Sequence, residues 1–185
     1  MKVLTVSVFS DRIEPTAPRV QGFAPLMASG ARIIVLGSMP GVASLRQQQY
    51  YAHPRNAFWP IAASVFGFDP QASYAARSEA LMSSGIALWD VLQACERPGS
   101  LDANINLNSI VPNDFESFFR KNQGIVRVCF NGGKAAALYR RYVLPALTIA
   151  CELQYVELPS TSPAHAAMRR EEKLAVWERA LTISR

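Results

Sequence analysis

The feature that most constrains the fold is a short apolar run that ends in a glycine turn. The run Ile33 to Leu36 reads IIVL, which is typical of a strand buried on both faces. The sequence GSMPG follows at once, at 37–41, and it can turn the backbone sharply off the strand. Ligands bind at the carboxyl ends of strands in open parallel sheets, so this turn is the first candidate site.

Side chains suited to binding a ligand follow the turn. They are aromatic, basic and amide residues: Tyr50, Tyr51, His53, Arg55 and Asn56. They lead into 58–66, which we predict to be a helix with Pro60 in its first turn.

Apolar runs alternate with helical patterns along the rest of the chain. Four runs predict strands, at 32–36, 86–89, 125–130 and 153–158. Helical patterns follow at 58–66, 74–84, from 112–114 to about 121, at 134–142, and from within 163–170 to about 183. Ser73 and Asn113 are suited to cap the second and third of these helices. We interpret 96–108 as a long polar connection.

This alternation predicts an α/β fold. Strands joined by helices imply right-handed crossovers and a parallel sheet with helices on both faces. We therefore expect a three-layer α/β/α architecture with a short, mainly four-stranded parallel sheet. The whole chain, 1–185, is expected to form a single domain, in which 1–30 is an irregular lead-in with one edge strand at 2–9.

Composition excludes several classes of protein. Half of the 185 residues are hydrophobic, which is enough for a core, but no apolar run reaches the roughly 18 residues of a membrane span. The N-terminus has no small-residue cleavage signature, so we predict no signal peptide and a cytoplasmic location. Cys95, Cys129 and Cys151 fit neither a disulfide framework nor a zinc site, so we expect reduced, mostly buried thiols and no metal.

Each predicted strand ends in glycine or polar residues that are not needed to build the sheet. These clusters are 37–41, Asp90, 131–133 and 160–163. The carboxyl ends of parallel strands lie on the same rim of a sheet, so the four clusters should converge on one site. Taken singly, a strand-end Asp is usually a helix cap and a Gly-Gly pair a turn, so the prediction depends on their joint occurrence.

These segments carry a family resemblance. The turn at 37–41, followed by YAHPRNAFW at 51–59, resembles the first motif of the uracil-DNA glycosylase superfamily, especially its mismatch-specific branch. The segment 85–90 resembles the strand with that superfamily's base-reading residue, and 158–164 resembles its second motif, a loop that grips DNA. When segment 130–134 is considered with these motifs, the chain is most similar to the DNA-deoxyinosine (hypoxanthine-DNA) glycosylase branch. The resemblance covers about residues 30–180.

The chain departs from the other branches at defined positions. Met39 stands where mismatch-type relatives have a catalytic Asn, and Asp90 stands where uracil enzymes have a base-reading Asn. Ser160 and Ser162 occupy the loop in which uracil enzymes carry a His. These departures argue against plain uracil excision, whereas Asn56 matches the position that supplies the catalytic amide in the deoxyinosine branch.

The resemblance implies hydrolysis of the bond between deoxyribose and a deaminated base, above all hypoxanthine, that is flipped out of DNA during base excision repair. Asn56 is expected to position the water, and Tyr51 to stack on the base. Asp90 is expected to read the base, either accepting from N1–H as a carboxylate or donating as a neutral acid. Further base contacts are expected from Gly37, Ser38, Met39 and Asn131. The mechanism requires no cofactor.

Contacts to the DNA backbone are expected from hydroxyl and basic side chains: Ser160, Thr161, Ser162, His165, Lys134 and Arg55. The chain has 19 Lys and Arg against 14 Asp and Glu, a net charge of +5. Basic residues that adjoin the strand-end clusters should place positive charge where DNA crosses: Arg46, Arg55, Arg97, Lys134, Arg169 and Arg170. We expect a monomer that binds DNA containing a deaminated base, away from any membrane.

Alternatives remain open. One is a glycosylase for uracil or xanthine, or one of mixed specificity. Another is a non-catalytic module that binds single-stranded or damaged DNA through Tyr51. A phosphate cradle is disfavoured, because no G-x-x-x-x-G-K-[ST] motif is present and Pro40 removes a backbone donor. Asn56 and Asp90 have helix capping as their structural alternative, so the hypothesis depends on Asn56, Tyr51 and Asp90 surrounding one cavity.

Overall fold

The computed structural model describes residues 19–148, 152–165 and 167–182. Its strands are β1 Arg19–Gln21, β2 Ile33–Gly37, β3 Ile86–Asp90, β4 Leu92–Glu96, β5 Val111–Pro112, β6 Arg127–Asn131 and β7 Gln154–Leu158. Its α-helices are α1 Val42–Gln47, α2 Phe58–Phe66, α3 Tyr74–Ser83, α4 Phe115–Lys121, α5 Gly133–Tyr142 and α6 Arg170–Leu181. Short 3-10 helices form at Asp102–Asn104, Leu107–Ser109 and Leu144–Ala146.

Four strands form the parallel sheet that the sequence predicted. Their order is β3-β2-β6-β7, and every neighbouring pair is parallel. The register sets Gly37 beside Asp90 and Asn131 beside Leu158. The carboxyl ends of all four strands therefore lie on one rim.

The pleat of β2 shows how the sheet is covered on both faces. Ile34 and Leu36 join one apolar cluster with residues of α4 and α5, whereas Ile33 and Val35 join another with residues of α2, α3 and α6. Successive side chains of a strand point to opposite faces, so both faces of β2 are buried. The three-layer α/β/α prediction is confirmed.

Local sequence signals account for several helix ends. Helix α2 has the predicted bounds and ends at Gly67, which adopts the left-handed conformation with φ +74°. Ser73 caps α3 as predicted, since its Oγ accepts a hydrogen bond from the N–H of Ala76 at 3.2 Å. Helix α6 buries Trp177 and Leu181, and it ends at Leu181, close to the predicted end near 183.

The cap of α4 differs from the prediction. Asp114, not Asn113, is the N-cap, and its Oδ1 accepts from the N–H of Ser117 at 2.9 Å. Asn113 instead donates from Nδ2 to the backbone carbonyl of Asp90 at 2.8 Å. Both residue types suit a cap, but the amide of Asn113 is bonded to β3, and Asp114 therefore caps the helix.

A second, three-stranded sheet was not predicted. It has the order β1-β4-β5 and is antiparallel. Strand β1 lies within the 1–30 segment that we expected to be irregular, and β4 begins two residues after β3 ends, with Val91 between them. Strands β1 and β5 are only three and two residues long, so periodicity did not reveal this sheet. The strand expected at 2–9 lies outside the described residues.

Two further predictions concern burial and membrane crossing. Cys95 and Cys129 are buried free thiols, as expected, and Cys151 lies outside the described ranges. None of the helices in the described part of the chain has the length and hydropathy that a bilayer crossing requires.

Candidate functional site

A cavity of about 390 Å³ opens at the carboxyl ends of the four parallel strands. Its walls include the segment that follows each strand: 37–44 after β2, Asp90 of β3, 131–134 after β6 and 160–165 after β7. The predicted convergence of the four strand ends is therefore observed. Further walls come from Tyr50, Tyr51, His53 and Asn56 and from residues 100–102. Arg55 is exposed and, alone among the predicted site residues, does not line this cavity.

Gly37 permits the closest approach in the site. A Cβ atom at this position would collide with the Asp90 carboxylate and would lie 3.3 Å from Oη of Tyr51. The glycine is needed because two functional side chains fill the space that a side chain at 37 would take.

Asp90 is a buried acid with an unsatisfied carboxyl oxygen. The residue is 3% exposed, and its Oδ2 has no hydrogen-bond partner among the described residues. Burial raises the pKa of Asp90 to about 7; the negative charge of Asp102 adds to this effect and the positive charge of Arg97 opposes it. A carboxyl group with a pKa near neutrality can donate or accept a hydrogen bond.

Tyr51 presents a supported aromatic ring to the cavity. Its ring stacks on that of Phe58, with centroids 4.3 Å apart and an interplanar angle of 26°. The backbone is left-handed here, with φ +54°, a strained conformation that a non-glycine residue rarely adopts. Burial raises the pKa of Tyr51, as does the nearby Asp90, so the phenol stays neutral. Its Oη is buried, and the side chain of Asn131 interacts with it and opposes this rise in pKa.

Asn56 lies just before α2 and contributes to its first turn. Its Oδ1 accepts a hydrogen bond from the N–H of Phe58 at 3.0 Å, although the N-cap position of α2 itself is occupied by Ala57. An amide oxygen has two acceptor sites, so one remains after this bond. The N–H of Ala57 donates to the carbonyl of Thr161 at 3.0 Å. This bond ties the segment that carries Asn56 to the loop after β7.

Asn131 and Thr161 form a reciprocal pair. The Nδ2 of Asn131 donates to Oγ1 of Thr161, and the N–H of Thr161 donates to Oδ1 of Asn131, both at 2.8 Å. Thr161 is 1% exposed, so its side chain joins two loops instead of facing DNA as we had predicted. Gly132, with φ +99°, packs where a Cβ would lie 2.9 Å from that of Ser160. The loops after β6 and β7 are thus closely fitted together.

The loop after β7 is held from behind by α6. Lys173 is 6% exposed, and its Nζ donates to the carbonyls of Ser160 at 2.9 Å and His165 at 2.7 Å. Burial lowers the pKa of Lys173. Within the loop, Oγ of Ser160 accepts from the N–H of Ser162 at 3.2 Å. Sequence reasoning missed Lys173, because a lysine in a helix is ordinarily at the surface.

The connection after β4 supplies a wall that sequence reasoning also missed. Oγ of Ser38 donates to Oδ1 of Asp102 at 2.7 Å. Arg97, which we had predicted to add surface charge, is 1% exposed. Its guanidinium donates to the carbonyls of Met39, Pro40 and Gly99. Arg97 therefore fastens the connection to the glycine turn and does not face DNA.

The remaining basic residues near the rim are accessible. Lys134 lines the cavity and is partly buried. Arg46, Arg55, Arg169 and Arg170 are exposed, and Arg169 pairs with Glu172 at 2.7 Å. His165 is exposed and lines the cavity, and Met39 is a buried wall residue.

Two curated relatives are similar in sequence to this chain over most of their own length. One is a hypoxanthine DNA glycosylase of Methanosarcina barkeri, 40% identical over 116 residues, which are 62% of this chain and 72% of the relative. The other is a hypoxanthine DNA glycosylase of Methanosarcina acetivorans, 36% identical over 116 residues with the same coverage.

A solved structure and a family profile point to the same superfamily as these relatives. The solution NMR structure of a Methanosarcina acetivorans protein, described as a candidate uracil DNA glycosylase, superposes with a TM-score of 0.68 and 30% identity, covering 88% of this chain and 99% of that one. The profile of the uracil DNA glycosylase superfamily matches residues 24–181. A cavity at the carboxyl rim of a four-stranded parallel sheet, with these matches, shows that the chain belongs to the uracil DNA glycosylase superfamily.

Proposed function

We propose that this chain is a monofunctional DNA glycosylase that removes a deaminated base, above all hypoxanthine, during base excision repair. The observation that carries the proposal is that Asn56, Tyr51 and Asp90 line one cavity, although they come from separate segments. The two relatives named hypoxanthine DNA glycosylase, at 36% and 40% identity, support the choice of base.

A glycosidic bond inside a duplex is out of reach, so the nucleotide must leave the base stack before hydrolysis. Tyr51 is suited to receive the flipped base, because Phe58 supports its ring at 4.3 Å. Stacking of a base on an aromatic ring contributes roughly 1–3 kcal/mol. This stacking energy offsets part of the free-energy cost of unstacking the nucleotide.

Asn56 would position the attacking water. The bond from the N–H of Phe58 fixes the carboxamide, and the second acceptor site of Oδ1 remains for a water proton. As the base departs, the sugar becomes cationic at C1′, so a weak nucleophile suffices and its orientation decides the rate.

Asp90 would read the base edge. Hypoxanthine carries a hydrogen at N1 where adenine has none, and O6 beside it is an acceptor.

The cavity-lining Ser160, Ser162, His165 and Lys134 would contact phosphates that flank the flipped nucleotide. The exposed Arg55 would contact DNA beyond the cavity.

The test is single-turnover excision from a deoxyinosine duplex, read as strand breaks after alkaline treatment. Asn56→Ala should lower the rate about 100-fold or more, because the water loses its orientation. Asn108→Ala is the control, since Asn108 is exposed and lies outside the cavity wall. Equal rates for wild type and Asn56→Ala would contradict the catalytic role, and binding without any abasic product would favour a non-catalytic module.

Uracil is the second candidate base, because the superposed NMR structure is described as a candidate uracil DNA glycosylase. A panel of inosine, uracil and xanthine oligonucleotides separates the candidates. Asp90→Asn should retain the fold and change the order of preference, and an unchanged profile would remove Asp90 from base recognition. A single domain, a monomeric state and a cytoplasmic location also remain predictions.

A further inference from the structure

Two carboxyl groups flank the glycine turn. Asp90 stands opposite Gly37 in the sheet register, and Asp102 accepts a hydrogen bond from the adjacent Ser38 at 2.7 Å. Both acids line the same cavity. Like charges that share a small cavity destabilise each other, so their environments decide which acid keeps a proton.

The environment of Asp102 stabilises the ionised form of its carboxyl group better than the environment of Asp90 does. Its side chain is 38% exposed, and Nη1 of Arg97 lies 3.9 Å from its Oδ1. The hydroxyl of Ser38 donates directly to the same oxygen. Burial raises the pKa of Asp102 above its ordinary value, and the Ser38 hydrogen bond and the charges of Arg97 and Lys134 offset part of this rise.

The environment of Asp90 favours the neutral form. The residue is 3% exposed, and its Oδ2 has no donor among the described residues. The charged groups that act on it are Asp102 and Arg97. The neighbouring phenols of Tyr50 and Tyr51 are neutral, because burial raises both of their pKa values. A carboxyl group without a donor, near a second negative charge, is the one that retains its proton.

We propose that Asp102 is a positioning residue that carries the negative charge of this pair and keeps Asp90 protonated, so that a neutral acid reads the base. The inference rests on the proposed function, in which Asp90 contacts the base. It assigns a role to a residue in the connection after β4, 64 positions along the chain from its partner Ser38.

A neutral acid suits both recognition and bond cleavage. Its O–H and C=O lie side by side, and they complement the adjacent O6 and N1–H of hypoxanthine. When the C1′–N9 bond breaks, its electron pair leaves with the base, and negative charge spreads onto O6. The O–H of Asp90 then donates more strongly, whereas a carboxylate would repel that charge. Water adds to C1′, and the proton that it releases neutralises the departed base.

Asp102→Asn tests the charge itself, because the new amide oxygen can still accept from Ser38. The titration midpoint of Asp90, followed by carboxyl ¹³C NMR and assigned with Asp90→Asn, should lie near pH 7 in the wild type and fall by about one unit in Asp102→Asn. Excision should weaken as the pH rises through the same midpoint, so the variant should be about tenfold slower at pH 8.

Glu96→Gln is the matched control. Glu96 is the last residue of β4, where the connection begins; its carboxylate accepts from Nδ2 of Asn106 at 2.9 Å, and the residue lies outside the cavity wall. This variant should leave the midpoint unchanged. Asp102→Ser removes the same charge with less bulk and should shift the midpoint in the same direction, which covers a misfolded amide variant.

The NMR titration needs no substrate and therefore separates two failures. An unshifted Asp90 midpoint in Asp102→Asn and Asp102→Ser, or a wild-type midpoint below pH 5, overturns the role of Asp102. A shifted midpoint, combined with unchanged excision and base preference in Asp90→Asn, overturns the assignment of Asp90 in the proposed function instead.

Discussion

The parallel sheet and the connection from β4 to β5 both build the cavity, but they do so by different means. The sheet presents Gly37, Asp90 and Asn131 through strand register, which follows from short apolar runs. The connection presents Asp102 through hydrogen bonds between residues far apart in the chain, 64 positions in the case of Ser38. The groups that would contact a base thus follow from local sequence, whereas the position of Asp102, the charge that we propose tunes Asp90, depends on tertiary contacts.

The largest expected effect concerns the pH dependence of stability on the sheet side. Burial raises the pKa of Asp90 from 3.8 to about 7, so the folded protein holds this proton more tightly than the unfolded chain. The resulting stabilisation is complete below pH 4 and is lost as the pH rises through about 7. A shift of about three units corresponds to about 4 kcal/mol.

Urea unfolding of wild type and Asp90→Asn between pH 4 and pH 8 measures this contribution. The wild type should lose about 4 kcal/mol relative to the variant over that range. Parallel curves would mean that Asp90 titrates normally, and the proposed difference between the two regions would then disappear.

Arg97→Met tests whether the connection is as strongly coupled to the core as the sheet is. The carbonyls of Met39, Pro40 and Gly99 lose their donor, so the free energy of unfolding should fall by about 3 kcal/mol. Arg46→Met, at an exposed position, is the control and should change it by less than about 0.5 kcal/mol. A similarly small loss for Arg97→Met would show that the connection is held mainly by other contacts.

The smallest effect compares two serines that make the same kind of bond. Ser100 Oγ accepts from the N–H of Val42, the first residue of α1, at 2.8 Å, and Ser73 Oγ accepts from Ala76 of α3 at 3.2 Å. Each change to Ala should lower the free energy of unfolding by about 1 kcal/mol. A loss in Ser73→Ala alone would indicate that the connection opens separately from the sheet.

Much of the fold could be predicted because its signals are local. The apolar run of β2 predicts a strand buried on both faces, and Pro60 with Gly67 brackets α2 at its observed bounds. The α4 cap was assigned one residue too early, because Asn113 and Asp114 are chemically equivalent candidates until β3 is in place.

The sequence predicted the main residues that line the candidate site, but not the buried residues that hold its loops in place. Motifs predicted Tyr51, Asn56 and Asp90, yet no periodicity or spacing indicated that Asp102, Arg97 or Lys173 would meet the same loops. A polar connection and a helical lysine are ordinarily solvated, so their sequences carry no signal for burial. Such residues become visible only when the loops are placed against each other.

The reciprocal hydrogen bonds between Asn131 and Thr161 have a mechanical consequence. These two bonds run in opposite directions and restrain the loops after β6 and β7 against relative movement. In the proposed complex, a displacement of Ser160 or Ser162 by the DNA backbone would therefore be transmitted to Asn131 in the cavity wall. If the proposed contacts are made, clamping of the phosphates and shaping of the pocket for the everted nucleotide are then expected to be mechanically coupled.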